Sequence, residues 1–250
     1  LLSWIAFAII LKMKKYFLHP ESIRKLFDHI APTYDFLNHL LSLGRDIYWR
    51  KRVVQELEQL EGWILDVATG TGDMAIKLVQ QGCNQRRVMG LDFSKSMLWI
   101  ARQKIVSKGF SRKIMLGHGD ALFLPFKENI FSASLMAFGL RNIVQKKQAL
   151  DEMVRVVKQG GKVVILEFTL PKNGMIKLLY LLYFEKILPW LGGFFSGDRE
   201  AYAYLPESVS HFPYSEDYER LLKQSGLKEV STQKLTFGIV SIISGIKKGS

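Results

Sequence analysis

Cysteine occurs once in the 250 residues, at Cys83, so the chain has no internal disulfide and no cysteine-built metal site. A reducing, cytoplasmic setting and metal-independent chemistry are the expectation. The five histidines fall in no metal-ligand or triad pattern. His211 alone is a candidate base, set against the plainer reading of a surface-loop histidine. Phosphate-binding signatures are missing too: neither G-x-G-x-x-G nor G-x-x-x-x-G-K-[ST] is present, which argues against a dinucleotide or a nucleoside triphosphate. Long apolar runs are also lacking. Residues 1–11 are almost wholly apolar, but as a helix they reach only about 16 Å against a hydrocarbon core of about 30 Å. A secretory signal places positive charge before its apolar stretch, whereas Lys12, Lys14 and Lys15 follow this one. Met13 opens a plausible start, so residues 1–12 read either as upstream read-through or as a weak membrane anchor, and 1–19 stand apart as an apolar and basic extension.

Acidic residues are outnumbered, 23 Asp+Glu against 35 Lys+Arg, for a formal charge of +12. Such a balance favours anionic surfaces. The basic residues are scattered without interleaved aromatics, which disfavours nucleic acid and leaves a membrane surface as the expected partner, with peripheral association. A hydrophobic content of 48% with 12% aromatics supplies a core for one sizeable domain, expected over 20–250 with no linker or repeat.

From residue 63 to 168, β-rich runs alternate with helical patterns, the signature of βαβ units and a parallel sheet. Strands are predicted at 63–68, 87–92, 113–117, 131–138 and 162–168. Helices are predicted at 73–81, 96–108 and 146–157. The last places Leu150, Met153, Val154 and Val157 on one face and stops at Gly160-Gly161. Residues 227–234 and 237–246 read as two further strands on a short turn, which only an antiparallel pair can make. The fold class is therefore α/β, with a seven-stranded, mostly parallel sheet ending in an antiparallel hairpin. A helical N-terminal stretch (about 20–60) and a helical insertion (about 172–225) are appended to it.

The strongest local motif is Leu65-Asp66-Val67-Ala68-Thr69-Gly70-Thr71-Gly72-Asp73, where a buried strand turns into a helix. Gly70 and Gly72 let backbone approach a ligand there, and the helix start offers unpaired N–H groups around Thr71. The same pattern also serves tight turns with no ligand. Asp92 closes the second strand, where a carboxylate can accept ribose hydroxyls, and Asp120-Ala121 follow the third, where an adenine edge would lie. Asp66, Asp92 and Asp120 all fall at carboxyl ends of successive strands, the ligand-binding edge of open α/β sheets. Asp73 is better read as a first-turn helix-dipole residue. A nucleoside without phosphates is favoured, which points to S-adenosyl-L-methionine.

The strings Phe27-Asp28-His29-Ile30-Ala31-Pro32-Thr33-Tyr34-Asp35, Leu41-Ser42-Leu43-Gly44 with Trp49-Arg50, Phe138-Gly139-Leu140-Arg141-Asn142, Leu166-Glu167-Phe168 and Tyr204-Leu205-Pro206-Glu207-Ser208, together with the glycine loop, resemble in order and spacing the ubiquinone/menaquinone C-methyltransferase family. The resemblance covers roughly residues 22–248 and implies a Rossmann-like class I methyltransferase fold. It places cofactor contacts at Thr71, Asp92, Asp120, Ala121 and residue 137, where some members carry serine. Here residue 137 is Ala137, so any hydrogen bond must come from its backbone. The resemblance associates Tyr34 and Arg141 with the quinol site; the plainer readings are a core tyrosine and a structural ion pair.

What the resemblance implies is C-methylation of a polyprenyl quinol. On that reading Arg141 steadies a developing phenolate by a charge-assisted hydrogen bond and Tyr34 orients the ring or relays its proton. The apolar segment 175–190 reads as a buried lid helix, a lipid-touching helix, or both. A homodimer or a quinone-biosynthesis complex is an open expectation. The alternatives are an O- or N-methyltransferase with another small substrate, and a non-catalytic quinol-binding subunit.

Overall fold

The computed structural model describes residues 20–81, 85–183 and 214–249. The 1–19 extension, His211, the Tyr204–Ser208 string and residues 184–190 of the apolar segment 175–190 lie outside those residues.

The sheet grows from β1 (Trp63–Val67), whose residues are buried after the first. Burial on both faces is why this strand reads as an apolar run broken only by Asp66. Ile64 turns to one side of the sheet and Leu65 and Val67 to the other, as a period of two requires. On the first side α2 (Arg45–Glu56), α3 (Asp73–Gln81) and α4 (Lys95–Ser107) pack Trp49, Val53, Leu78, Ala101 and Ile105 against Val88, Leu135 and Val164. On the second, α5 (Lys146–Val156) and α7 (Ser215–Gln224) bring Leu150, Met153, Tyr218 and Leu222 against Met136, Ile165 and Ile243. The result is three layers, helices on both faces of a sheet.

β2 (Arg87–Asp92), β3 (Ile114–His118), β4 (Phe131–Ala137), β5 (Val157–Phe168), β6 (Leu227–Leu235) and β7 (Val240–Lys247) complete the seven-stranded sheet, in the order β3-β2-β1-β4-β5-β7-β6. The first five strands run parallel, while β7 is antiparallel to both of its neighbours, β5 and β6. The chain leaves β1 toward β2 and β3, then returns to β4 on the other side of β1. That reversal opens a crevice at the carboxyl ends of β1 and β4.

Most boundaries fall within a residue of expectation, and the larger differences lie around β5 and β7. α5 ends at Val156, and Gly160-Gly161 sits inside β5, because Val157 already pairs with Phe131 before the register jumps to Lys162 opposite Ala133. The extra residues form a bulge through Gly160, at φ +74°. β3 lies one residue later than expected. β7 starts at Val240 because Thr236–Gly238 form a 3-10 turn instead, held by hydrogen bonds from Trp49 Nε1 to Thr236 Oγ1 (2.8 Å) and from Thr169 Oγ1 to the Gly238 carbonyl (2.9 Å).

α1 (Pro20–Leu41) and α2 supply the expected helical N-terminal stretch. Within the expected insertion, α6 (Gly174–Leu182) and α7 are helical. No helix among the described residues is long and apolar enough to cross a membrane, and no cluster of His, Cys, Asp and Glu among them suits a metal ion.

Candidate active site

At the end of β1 the chain turns through Ala68 (φ 55°), Gly70 (φ 58°) and Gly72 (φ 81°), all in the left-handed region. Ala68 has no glycine freedom, so surrounding contacts must hold it there. One of them is Gly139, just past β4, where an added Cβ would stand 2.9 Å from the Ala68 Cβ. Phe138, also left-handed at φ 59°, precedes it. Two strained turns from adjacent strands thus meet at the topological switch.

Between them opens a cleft of about 1010 Å³, counting its mouth. Asp92 stands on its wall. Its Oδ2 accepts the Gly70 N–H at 2.7 Å and its Oδ1 the Ser94 N–H at 2.8 Å, so one carboxylate ties the glycine loop to the start of α4. Burial raises its pKa, and the backbone donors oppose that shift. Asp120 borders the cleft from the loop after β3, its Oδ1 accepting the Leu122 N–H at 2.9 Å. Leu91, Phe93, Met97 and Ile143 make the apolar walls. α1 lies across the opening and contributes Ile23, Arg24, Phe27 and Tyr34. Tyr34 meets Phe27 edge-on at 6.0 Å.

The donor set suits a nucleoside. Carboxylates, the glycine-loop backbone and apolar side chains line it together, and Arg24 is the only cationic residue among the described residues that line it. Arg24 is itself within 4.0 Å of Asp28 and lies over the Phe93 ring at 6.0 Å, so the described residues form no basic cradle for phosphates. A Cβ added at Gly70 would meet nothing within 4 Å, which leaves the space above the loop open to a ligand.

The ubiE/COQ5 methyltransferase family matches residues 15–247. Among curated relatives, the ubiquinone/menaquinone biosynthesis C-methyltransferase of Geobacter sulfurreducens is 41% identical over 91% of this chain and 89% of its own. The demethylmenaquinone methyltransferase of Thermus thermophilus is 44% identical over 88% and 99%. The chain belongs to this family. It is an S-adenosylmethionine-dependent C-methyltransferase. Among solved structures, a methyltransferase of Thermotoga maritima superposes with a TM-score of 0.63 at 20% identity, over 90% of this chain and 99% of that one, a likeness of fold.

The methyltransferase brings Gly70, Asp92, Asp120, Ala121, Ala137 and Tyr34 together around the cleft. Four other residues singled out from the sequence stand elsewhere. Asp66 lies behind the loop, fully buried, its Oδ2 accepting the Thr69 hydroxyl at 2.6 Å. Burial pushes its carboxyl up to about 7, with the Thr69 hydroxyl and the Arg50 charge opposing and Asp92 adding to the rise. Thr71 turns its hydroxyl away from the cleft to Asp35 of α1, at 2.5 Å. Gly72 lets α4 approach, since a Cβ there would stand 3.1 Å from the Ala101 Cβ.

Arg141 sits behind the cleft wall. Its Nη1 donates to Glu167 Oε1 at 2.8 Å and to the Phe138 carbonyl at 2.7 Å, and its backbone N–H donates to Glu167 Oε2 at 3.1 Å. Glu167 is fully buried, and the guanidinium also lies over the Phe168 ring at 5.3 Å. Buried tyrosines, Tyr180 and Tyr218, feel the same pair; burial raises both hydroxyls and keeps them neutral. The ion pair therefore braces the turn that carries Asn142 to the cleft.

Sequence reasoning passed over Asp28, Phe27, Ser94 and Lys104. A signal was available: Phe27-Asp28 and Tyr34-Asp35 repeat an aromatic-acid pair seven residues apart, which on a helix stacks both pairs on one side.

Proposed function

We propose that the enzyme methylates a ring carbon of a polyprenyl quinol, the acceptor being a demethylmenaquinol or a related benzoquinol in its reduced form. The observation that carries this reading is that Tyr34, from the helix laid across the cleft, lines the same cleft as Asp92 and Gly70. Bound S-adenosylmethionine supplies a methyl group on a positively charged sulfur, already reactive toward an aligned nucleophile.

The residues' task is then to make a ring carbon nucleophilic and to aim it. Ring carbons gain that character as the adjacent phenol gives up its proton, so the quinol is the substrate. On this reading the Tyr34 hydroxyl hydrogen-bonds that phenol and holds the ring in line. Apolar walls exclude water, which strengthens each polar contact inside. Arg141 assists by holding the Phe138–Asn142 turn through its bonds to the Phe138 carbonyl and Glu167.

The same reading extends to where the acceptor is met. On α6, Met175 (74% exposed), Leu178 (59%), Leu179 (61%) and Leu182 (44%) recur at one-turn spacing on an open face beside Lys172 and Lys177. Such a face, on a chain of charge +12, suits an anionic bilayer surface holding the isoprenoid tail.

Incubation with labelled S-adenosylmethionine and short-tailed reduced benzoquinol and naphthoquinol tests the acceptor by mass spectrometry. One carbon-bound methyl is expected on at least one quinol and none on the oxidised quinones. Cofactor binding without transfer to either quinol would count for a non-catalytic subunit, and methylation at oxygen or nitrogen for the other enzyme class.

A further inference from the structure

α1 covers the cleft, yet among its described side chains only Ala31 is buried. Polar contacts from one flank hold it instead. Near its start, Asp28 Oδ1 accepts the Ser94 hydroxyl at 2.6 Å, reaching the residue that caps α4. Seven residues on, Asp35 Oδ1 accepts the Thr71 hydroxyl at 2.5 Å, and its Oδ2 pairs with Lys104 Nζ at 2.6 Å. Lys104 also donates to Thr71 Oγ1 at 3.3 Å and to Asp73 Oδ1. One ammonium thus joins α1, the glycine loop and the start of α3. Without it, Asp35 and Asp73 would face each other as like charges.

We propose that Asp35 and Lys104 are positioning residues: by seating α1 on α4 and on the glycine loop, they hold the neighbouring Tyr34 over the cleft. The proposal rests on the reading of Tyr34 as the acceptor-side residue. Both charged groups are three-quarters buried or nearly so, their side chains 30% and 23% exposed, so the pair is only partly screened by solvent. The turn after α1 passes through Leu43 (φ 52°) and Gly44 (φ 71°), where a Cβ on Gly44 would touch nothing within 4 Å. A helix joined by such a turn and held by charge is displaced when the charge is removed.

The test compares Lys104→Met, Lys104→Arg, Tyr34→Phe and the Lys104→Met/Tyr34→Phe double variant in the full chain. Two readouts are taken: turnover with saturating cofactor, and amide hydrogen exchange over residues 27–35 without substrate. Lys104→Met should lower kcat/KM for the quinol about tenfold or more and speed exchange in that segment, the loss in kcat/KM exceeding any rise in cofactor Kd. Lys104→Arg should restore both. In the Tyr34→Phe background Lys104→Met should cost little more, because the two changes remove one interaction. Equal losses in both backgrounds, or unchanged exchange over 27–35, would overturn the proposal. If the native enzyme methylates no quinol, the acceptor reading fails by itself, and the exchange result alone decides whether Lys104 seats α1.

Discussion

Asp92 carries two backbone hydrogen bonds, and both depend on its negative charge. In Asp92→Asn one acceptor oxygen becomes an NH2 group facing the N–H of Gly70 or Ser94. The same carboxylate is the expected acceptor for the cofactor's ribose hydroxyls, and loss of one charge-assisted bond to them is worth about 1.5–3 kcal/mol, which corresponds to cofactor binding weakened by roughly 10–100-fold. Isothermal calorimetry reads this directly, and an unchanged Kd would remove Asp92 from the cofactor site. Arg141 makes a different prediction. Arg141→Met leaves Glu167 fully buried and stripped of its cation, which should cost about 3–5 kcal/mol of stability. Arg141→Lys should lose much less. A urea midpoint that hardly moves in Arg141→Met would show that Glu167 has another source of compensation. These outcomes also explain why single residues were unevenly legible. The acids at 92 and 120 were readable because strand ends are marked locally by apolar runs that stop. Asp66 lies near a strand's carboxyl end in the same way, but its side chain turns behind the glycine loop to Thr69, and nothing in its spacing distinguishes that from facing the cleft.

Among the elements, the parallel core was readable from periodicity, since strands buried on both faces leave continuous apolar runs. β5 was misread at its start because glycine pairs usually end helices, and here they make a bulge. An added Cβ at Gly161 would stand 2.6 Å from the Ser132 carbonyl oxygen and 2.6 Å from Val157 Cγ1. Gly161→Ala is therefore expected to destabilise the enzyme by about 1–3 kcal/mol through overpacking, seen as a lowered Tm. A Tm equal to the native value would mean that the bulge yields without strain. The placement of α1 was hidden for another reason. Its aromatic-acid repeat marks a helix with one polar flank, but which helix receives that flank depends on residues far along the chain: Asp28 meets Ser94 across 66 positions and Asp35 meets Lys104 across 69.

For the whole molecule, buried charge sets how stability follows pH. Asp66 has a folded-state pKa of about 7 against an ordinary value of 3.8, so between those values the folded state holds a proton that the unfolded chain releases. Its contribution to stability is therefore full at acid pH and falls as pH rises toward 7, by up to about 1.4 kcal/mol per unit. Asp66→Asn should reduce the stability lost between pH 5 and 7.5 by on the order of 2 kcal/mol, measured from urea unfolding at both pH values. Identical losses in the two proteins would place the Asp66 pKa near its ordinary value. Membrane contact is tested at the same scale. Leu178→Glu/Leu179→Glu should weaken sedimentation with anionic vesicles, while each exposed change shifts stability by no more than about 0.5 kcal/mol. Native binding should also fall as salt rises. Equal binding to neutral vesicles and indifference to the α6 substitutions would argue against that face.

The alternation of strands and helices, the glycine turn and the acids at successive strand ends were all settled within short stretches of chain, because backbone propensity and apolar periodicity act over a few residues. The insertion of β7 between β5 and β6, the closure of α1 over the cleft, the burial of Asp66 and the engagement of Arg141 by Glu167 were settled only by folding. The place of β7, the seating of α1 and the Arg141–Glu167 pair join groups well apart along the chain, the burial of Asp66 follows from the layers packed around β1, and a carboxylate's role depends on which partners and how much water the finished packing leaves beside it.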